Sequence, residues 1–380
     1  MARSILEDPV ALTSMLVAID SVNPSLVPGA AGEAAIVATL APLLREGGFE
    51  VELLDDVPAR PSIVATLHGS GMAPPGDDRH RVLMLNGHLD TVGPGRMQRP
   101  FEPRIESGRL HGRGALDMKG GVAVMIAAAV RAAKRDLSGD IVLACVADEE
   151  FASIGSYAVA RHVNADAAIV TEPTDEQIVI AHKGFVWAEV ETTGLAAHGS
   201  QADVGVDAIA AMGPILSGLG ELSAELARGA SHPLLGRGSV HASLIEGGQE
   251  LSTYPSRCLL QLERRTIPGE RAATLAAELE RIAPGARVGL GVEREPFEVP
   301  ADALIVTTLA GQYRRLAGRD PELVGAPYWT DAAALAAAGI PSVLFGPCGE
   351  GAHADDEWVD VESIERCTEI LLETIMEFAG

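Results

Sequence analysis

The strongest constraint on the fold is a change of rhythm along the chain. Up to about residue 182, short apolar runs alternate with helical patterns. EVELL, SIVATL, RVLMLN, DIVLACVAD and AAIVTEP read as strands, and 30–46, 119–134 and 153–162 as helices. Alternation of this kind predicts an α/β arrangement, a sheet flanked by helices. From FVWAEVETT onward the order becomes β-α-β-β-α-β. A helix over 204–227 is followed by the strands SVHASLIEGG and RCLLQLERRT, a helix in PGERAATLAAELERIA opening on Pro268, and a closing strand ARVGLGVE. That order predicts a ferredoxin-like α+β unit. After Pro300 the α/β rhythm returns, with a helix near 301–316, the strand PSVLF at 341–345 and a last amphipathic helix from about 361. The expected organisation is a discontinuous α/β domain over 1–182 and 296–380, built on a central mixed sheet, with a smaller domain over 183–295 inserted into it. GSGMAPPGDDRH at 69–80 reads as a surface loop.

Charge and cysteine usage narrow the partners. With 53 acidic against 29 basic residues the net charge is −24, a field that repels phosphate backbones and anionic lipid surfaces. Neither nucleic acid nor membrane is an expected partner. The most apolar stretch, Val122 to Val130, is far shorter than the ~20 residues a spanning helix needs. The N-terminal segment carries acids early and reads as an amphipathic helix rather than a signal peptide. Cys145, Cys258, Cys348 and Cys367 form no CxxC pair, which argues against a disulfide framework or a thiolate zinc site and fits a reducing, cytoplasmic setting.

The chemistry concentrates where predicted strands end. RVLMLN runs into GHLDTVG, so His88 and Asp90 alternate onto one face. His88 there can hold a metal, with Asp90 accepting its other imidazole proton; a core histidine and a turn cap are the plainer alternatives. Asp117 heads an apolar helix, where a ligand and a simple cap are equally consistent. Strand DIVLACVAD delivers Asp148, Glu149 and Glu150 in succession. Three adjacent acids repel one another unless cations neutralise them or the turn is solvated. Glu172 ends the strand before Pro173, and His353 lies in the glycine-rich GPCGEGAHADDEWV after PSVLF. Ligands of open α/β sheets gather beyond the carboxyl ends of the strands, and all of these residues occupy such ends or the loops that follow. Two histidines with several carboxylates suit zinc, cobalt or manganese.

Together these segments resemble the M20 metallopeptidases, a family that includes acetylornithine deacetylase, succinyl-diaminopimelate desuccinylase, aminoacylase and glutamate carboxypeptidase. GHLDTVG, GRGALDMKGG, DEE, TEP, AAHGS, ERRTIPGE, WTDAA and GPCGEGAHADDEWV appear in family order across nearly the whole chain. The resemblance implies two divalent metal ions, zinc first and cobalt or manganese next. Asp117 would bridge them, His88 and Glu172 would complete one ion, and Glu150 with His353 the other. It further implies Glu149 as general base and Asp90 as the acid supporting His88. Such a pair of cations, about 3.5 to 4 Å apart, can share a hydroxide and polarise a carbonyl. The inserted domain would be the family's lid and dimerisation domain, making a homodimer. On it His198 would reach the oxyanion, often in the neighbouring subunit's site, and Arg265 would grip a substrate carboxylate. Ser252 stands where relatives carry an asparagine, Thr330 offers a hydrogen bond to the substrate carboxylate, Asp331 reads as a cap and Lys119 as a helix-start residue.

The function expected from the resemblance is hydrolysis of the amide bond in an N-acyl amino acid, or in a short peptide, nearest to acetylornithine deacetylase in ERRTIPGE, GQELSTYP and YWTDAA. The alternatives are a dipeptidase or carboxypeptidase of the same family, and a silent acyl-amino-acid-binding protein, against which the presence of Glu149 and all five proposed ligands argues. No GxSxG follows a strand, and GRGALD lacks the third glycine of a dinucleotide loop, so serine hydrolase and nucleotide-binding readings are weak.

Overall fold

In the computed structural model, which describes residues 4–71 and 80–380, the apolar run after Lys119 forms the helix Gly120–Ala132. It is buried along all its length except Arg131. Alanine and glycine make this possible, because a helix with small side chains on every face can be enclosed by neighbours on all sides. The helices Pro9–Val17 and Val361–Ala379 pack against it, and Ile364, Leu371 and Ile375 of the latter are buried. Truncating a fully buried Ile126 or Leu371 to alanine costs about 2–5 kcal/mol.

Around this helix the chain builds the first of two units, which takes in residues up to Ile180, Val299–Val324 and Thr330–Gly380. Its strands belong to a nine-stranded mixed sheet and run in the order Glu50–Leu54, Ser62–Leu67, Asp140–Val146, Val82–His88, Ala167–Val170, Ser342–Leu344, Ile178–His182. Asp140–Val146, Val82–His88, Ala167–Val170 and Ser342–Leu344 are mutually parallel, buried on both faces as continuous apolar runs must be. Register aligns their carboxyl ends: His88 pairs with Val146, Asn86 with Val170, and Leu344 with Val170. A second, four-stranded sheet in this unit has the order Gly349–Glu350, Trp358–Asp360, Arg109–His111, Arg104–Glu106.

The second unit comprises Ala181–Glu298 with Gly325–Trp329. Its strands run Ser239–Gly247, Arg257–Thr266, Gly184–Thr193, Arg287–Arg294, all antiparallel, with the helices Ala208–Leu226 and Ala272–Ile282 between them in sequence. This is the ferredoxin-like β-α-β-β-α-β order. Burial alternates along Gly184–Thr193 and Arg257–Thr266, so Val186, Val190, Leu260 and Leu262 pack on Leu219, Leu222, Leu275 and Leu279.

Some elements differ from the sequence reading. The second helix of this unit opens at Ala272 rather than at Pro268, because Gly269 at φ 94° closes a turn that the helix can only follow. The strand Ile178–His182 and the small sheet were not expected, being too short to show a period. Of the loop read over 69–80, residues 72–79 lie outside the described residues. No helix among the described residues is long and apolar enough to cross a membrane.

Candidate metal centre

The aligned carboxyl ends of the parallel strands place His88, the Asp148–Glu150 turn and Glu172 side by side. Asp117 reaches them from a loop with non-helical backbone, three residues before the helix Gly120–Ala132. It is therefore not the helix cap that its position in sequence suggested. The approach depends on Gly121, where a Cβ would sit 1.8 Å from the Thr171 carbonyl oxygen. Without that side chain the helix start can touch the strand end that carries Glu172.

Two triads result, and they share one residue. Ligand atoms of His88, Asp117 and Glu172 lie within 4.8 Å of one another, and so do those of Asp117, Glu150 and His353. Asp117 Oδ1 is 3.1 Å from His88 Nε2, and its Oδ2 is 3.1 Å from His353 Nε2, which stands equally close to Glu150 Oε2. His88 is buried, and its Nδ1 donates to the Asp90 carbonyl at 2.9 Å, so a neutral ring turns the Nε2 lone pair toward Asp117. The support expected from the Asp90 carboxylate thus falls to the Asp90 main chain, since the nearer carboxylate oxygen lies 3.6 Å away. That carboxylate instead accepts from Glu149 N (3.1 Å), Glu150 N (3.3 Å) and Asn23 Nδ2 (2.8 Å), fixing the acidic turn.

The electrostatics call for cations. Burial, with repulsion from Glu172, pushes Glu149 well above the ordinary carboxyl range; burial, with Asp117, does the same to Glu172 and also raises Glu150. Burial opposes charge on His88 and Asp117 too. There the acids around His88 hold it well above its usual value, and His353 and His88 hold Asp117 well below its own. Hydrogen bonds that His353 donates to Asp117 and Glu150 raise it to about 10. Glu150 Oε1 is buried without a hydrogen-bond partner. A set of nitrogen and oxygen donors with one acceptor atom still unused, in acids that cannot all ionise together, fits divalent zinc, cobalt or manganese.

Asn23, Glu33 and Arg60, which the sequence reading passed over, hold the turn through Asp148, and Glu357 holds the Asp117 loop. Asp148, at φ 69°, takes the left-handed conformation that few residues other than glycine, asparagine and aspartate adopt. Its carboxylate accepts from Asn23 Nδ2 (3.0 Å) and Arg60 Nη2 (2.8 Å), and Arg60 is also bidentate to the buried Glu33 at 2.6 Å. Glu357, 1% exposed, accepts from Arg113 and from the backbone of the Asp117 loop. Asp331 makes no side-chain cap and is 1% exposed; its Oδ2 accepts from Ser156 Oγ at 2.7 Å, and burial raises it to about 6. Lys119 is buried with Nζ on the Ile19 carbonyl, and burial draws it down to about 7. Thr330, also 1% exposed, accepts from Ala332 N at Oγ1.

The remaining candidates stand on the second unit. His198 and Ser252 are exposed neighbours, tied by Gly199 N donating to the Ser252 carbonyl at 2.7 Å. His198 Nδ1 accepts from Ser200 N, which leaves Nε2 as the donor of a neutral ring. Arg265 lies over the Phe185 ring and pairs with Glu263 at 2.7 Å, whereas Arg264 is buried between Glu270 and Glu278.

Comparison with known proteins is consistent across sequence and fold. The sequence pattern of Peptidase family M20/M25/M40 matches residues 84–377. The acetylornithine deacetylase of Myxococcus xanthus is 32% identical, over 89% of this chain and 90% of that one. The N-formyl-4-amino-5-aminomethyl-2-methylpyrimidine deformylase of Bacillus subtilis (strain 168) is 28% identical, over 93% and 91%. Among solved structures, the aminopeptidase PepT of Bacillus cereus superposes with a TM-score of 0.80 at 21% identity, over 99% of both chains.

Proposed function

Because the chain belongs to Peptidase family M20/M25/M40, we propose that it is a metal-dependent deacylase that hydrolyses the amide bond of N-acyl amino acids. The observation that carries this reading is the pair of ligand triads joined at Asp117. His88, Asp117 and Glu172 would hold one divalent ion, and Asp117, Glu150 and His353 the other, with zinc first among the metals. Such ions, when bound, polarise a carbonyl and acidify water.

The chain's own groups do the rest. Glu149 ligates neither proposed ion. Its carboxyl is lifted above the ordinary carboxyl range by burial and by Glu172, the direction that suits a group which must both accept and return a proton. It takes the proton from the attacking water and delivers it to the departing amine as the C–N bond breaks. Arg265, Thr330 and Ser252 are proposed for the substrate carboxylate and its surroundings, and His198 for the developing oxyanion. Two of the relatives are named for removing a small acyl group, acetyl or formyl, from an amine, and this supports a small acyl group over a peptide residue on that side of the bond. A homodimer through the second unit and a cytoplasmic location belong to the same proposal, the latter supported by four free cysteines.

The test is a substrate panel with zinc-, cobalt- and manganese-loaded protein, comparing N-acetyl and N-formyl amino acids with dipeptides. Preferential release of the small acyl group supports the reading. Preferential dipeptide cleavage would assign the chain to the peptidase side of the family, and binding of acyl amino acids without turnover would remove the catalytic claim.

A further inference from the structure

Asp117 and His353 lie far apart in the chain, and each sits on a loop rather than on a strand end. A buried ion pair ties the loops together. Glu357 accepts from Arg113 Nη1 (2.6 Å), Gly114 N (3.0 Å), Leu116 N (2.9 Å) and Asp117 N (3.1 Å), so one buried carboxylate holds the loop that ends at Asp117. The same Arg113 guanidinium donates through Nη2 to the carbonyl of Ala354, the residue after His353, at 2.7 Å. Both partners are 1% exposed. Below them the two segments pair as strands, His111 opposite Trp358. We propose that Arg113 and Glu357 are positioning residues that set the spacing of Asp117 and His353, and through it the affinity of the ion held by Asp117, Glu150 and His353.

The asymmetry between the triads makes the effect selective. His88 and Glu172 are buried at strand ends, and their places do not depend on the pair. His353 has no such support: its backbone is at φ 63° and its side chain is 52% exposed. Its distance to Asp117 is held through the Arg113 bridge. The pair is also hard to replace, because an apolar residue at 357 would leave three backbone N–H groups and Nη1 of the buried guanidinium without acceptors. Glutamine has the same shape but one acceptor oxygen, so Glu357→Gln releases one side of the clamp. Arg113→Lys keeps the charge and loses the fork that reaches Glu357 and Ala354 together.

This inference rests on the two-ion reading above, and the experiment separates the two. Metal-free wild type, Glu357→Gln and Arg113→Lys are titrated with Co²⁺ alone, followed by visible absorption and calorimetry, with far-UV circular dichroism and a thermal melt of each metal-free protein to establish folding. Wild type takes two equivalents; fewer than two overturns the two-ion reading itself. In the folded variants the second equivalent binds about 10- to 100-fold more weakly, and the first, which shares Asp117 but not His353, is weakened less. Wild-type affinity for the second equivalent, or equal weakening of both, overturns the positioning role. Should one variant fail to fold, the other decides the question.

Discussion

Replacing Asp331 by asparagine separates the electrostatics of the centre from its shape. The side chain is 1% exposed, accepts one hydrogen bond from Ser156, and has its second oxygen buried without a partner. Burial lifts its pKa from 3.8 to about 6. The raised value means that the folded metal-free protein binds this proton more tightly than the unfolded chain does. Its contribution is therefore most favourable below pH 3.8 and is lost as the pH rises through about 6. A difference of roughly two pKa units at 1.36 kcal/mol each amounts to about 3 kcal/mol of destabilisation at neutral pH. Asparagine keeps the shape and the Ser156 bond without the charge. Urea unfolding in chelator should accordingly show Asp331→Asn gaining on wild type between about pH 4 and pH 6, with a plateau of about 3 kcal/mol above that. A second consequence reaches the chemistry. The Asp331 charge helps to raise Glu149, so the acidic limb of the kcat/KM profile of metal-loaded Asp331→Asn should move to lower pH. A stability difference that stays flat across the interval, or an acidic limb that stays put or moves upward, would refute this account of the site.

Chelation should abolish hydrolysis, and zinc, cobalt or manganese should restore it; full turnover in protein shown to be metal-free by elemental analysis would end the metal-dependent mechanism. Glu149→Gln should bind metal as wild type does while kcat falls about 10²- to 10⁴-fold, and a near-normal kcat would mean that another group moves the proton. Arg60→Met leaves Glu33 and Asp148 as buried carboxylates without their cation, and should destabilise the first unit by about 3–5 kcal/mol in urea unfolding. Adding Glu33→Gln to that variant should recover part of the loss, whereas a further loss equal to that of Glu33→Gln alone would show that the residues are not coupled.

The strands Val82–His88, Asp140–Val146 and Ala167–Val170 were legible because each is an apolar run of four to seven residues at or just before a group able to bind a ligand, as in DIVLACVADEE. The grouping of His88, Glu149, Glu150 and Glu172 at one rim follows from that pattern once the strands are parallel. The contacts that shape the centre left no such trace. Arg60 meets Asp148 across 88 positions and Arg113 meets Glu357 across 244, separations at which no helical or strand period operates. Asp331 looks like a cap, a polar residue before an alanine run, and only the packing around it shows that it is buried against Ser156. The role of Asp90 was half visible: its proximity to His88 followed from strand alternation, but the preference of its carboxylate for the N–H groups of Glu149 and Glu150 depends on a left-handed turn at Asp148 that the letters DEE do not encode.

That turn resolves a conflict in the centre. Glu149 and Glu150 are adjacent, identical in type and both lifted by burial, yet the proposed function needs one of them free to carry protons and the other ionised to hold a cation. Side-chain chemistry cannot distinguish them. Direction can: Glu150 Oε2 is 3.1 Å from His353, whereas Glu149 Oε2 stands 4.0 Å from His88. The two oxygens of Asp90 hold one backbone N–H each, Asp148 takes a left-handed conformation just before the pair, and Asn23 and Arg60 bind its carboxylate. Asn23, Glu33 and Arg60 all precede residue 84, where the family match begins. The proposed division of labour between base and ligand would therefore be set in part by a segment that contributes no group to the metal triads, through buried hydrogen bonds in which the carboxylates of Asp90 and Asp148 each take more than one donor.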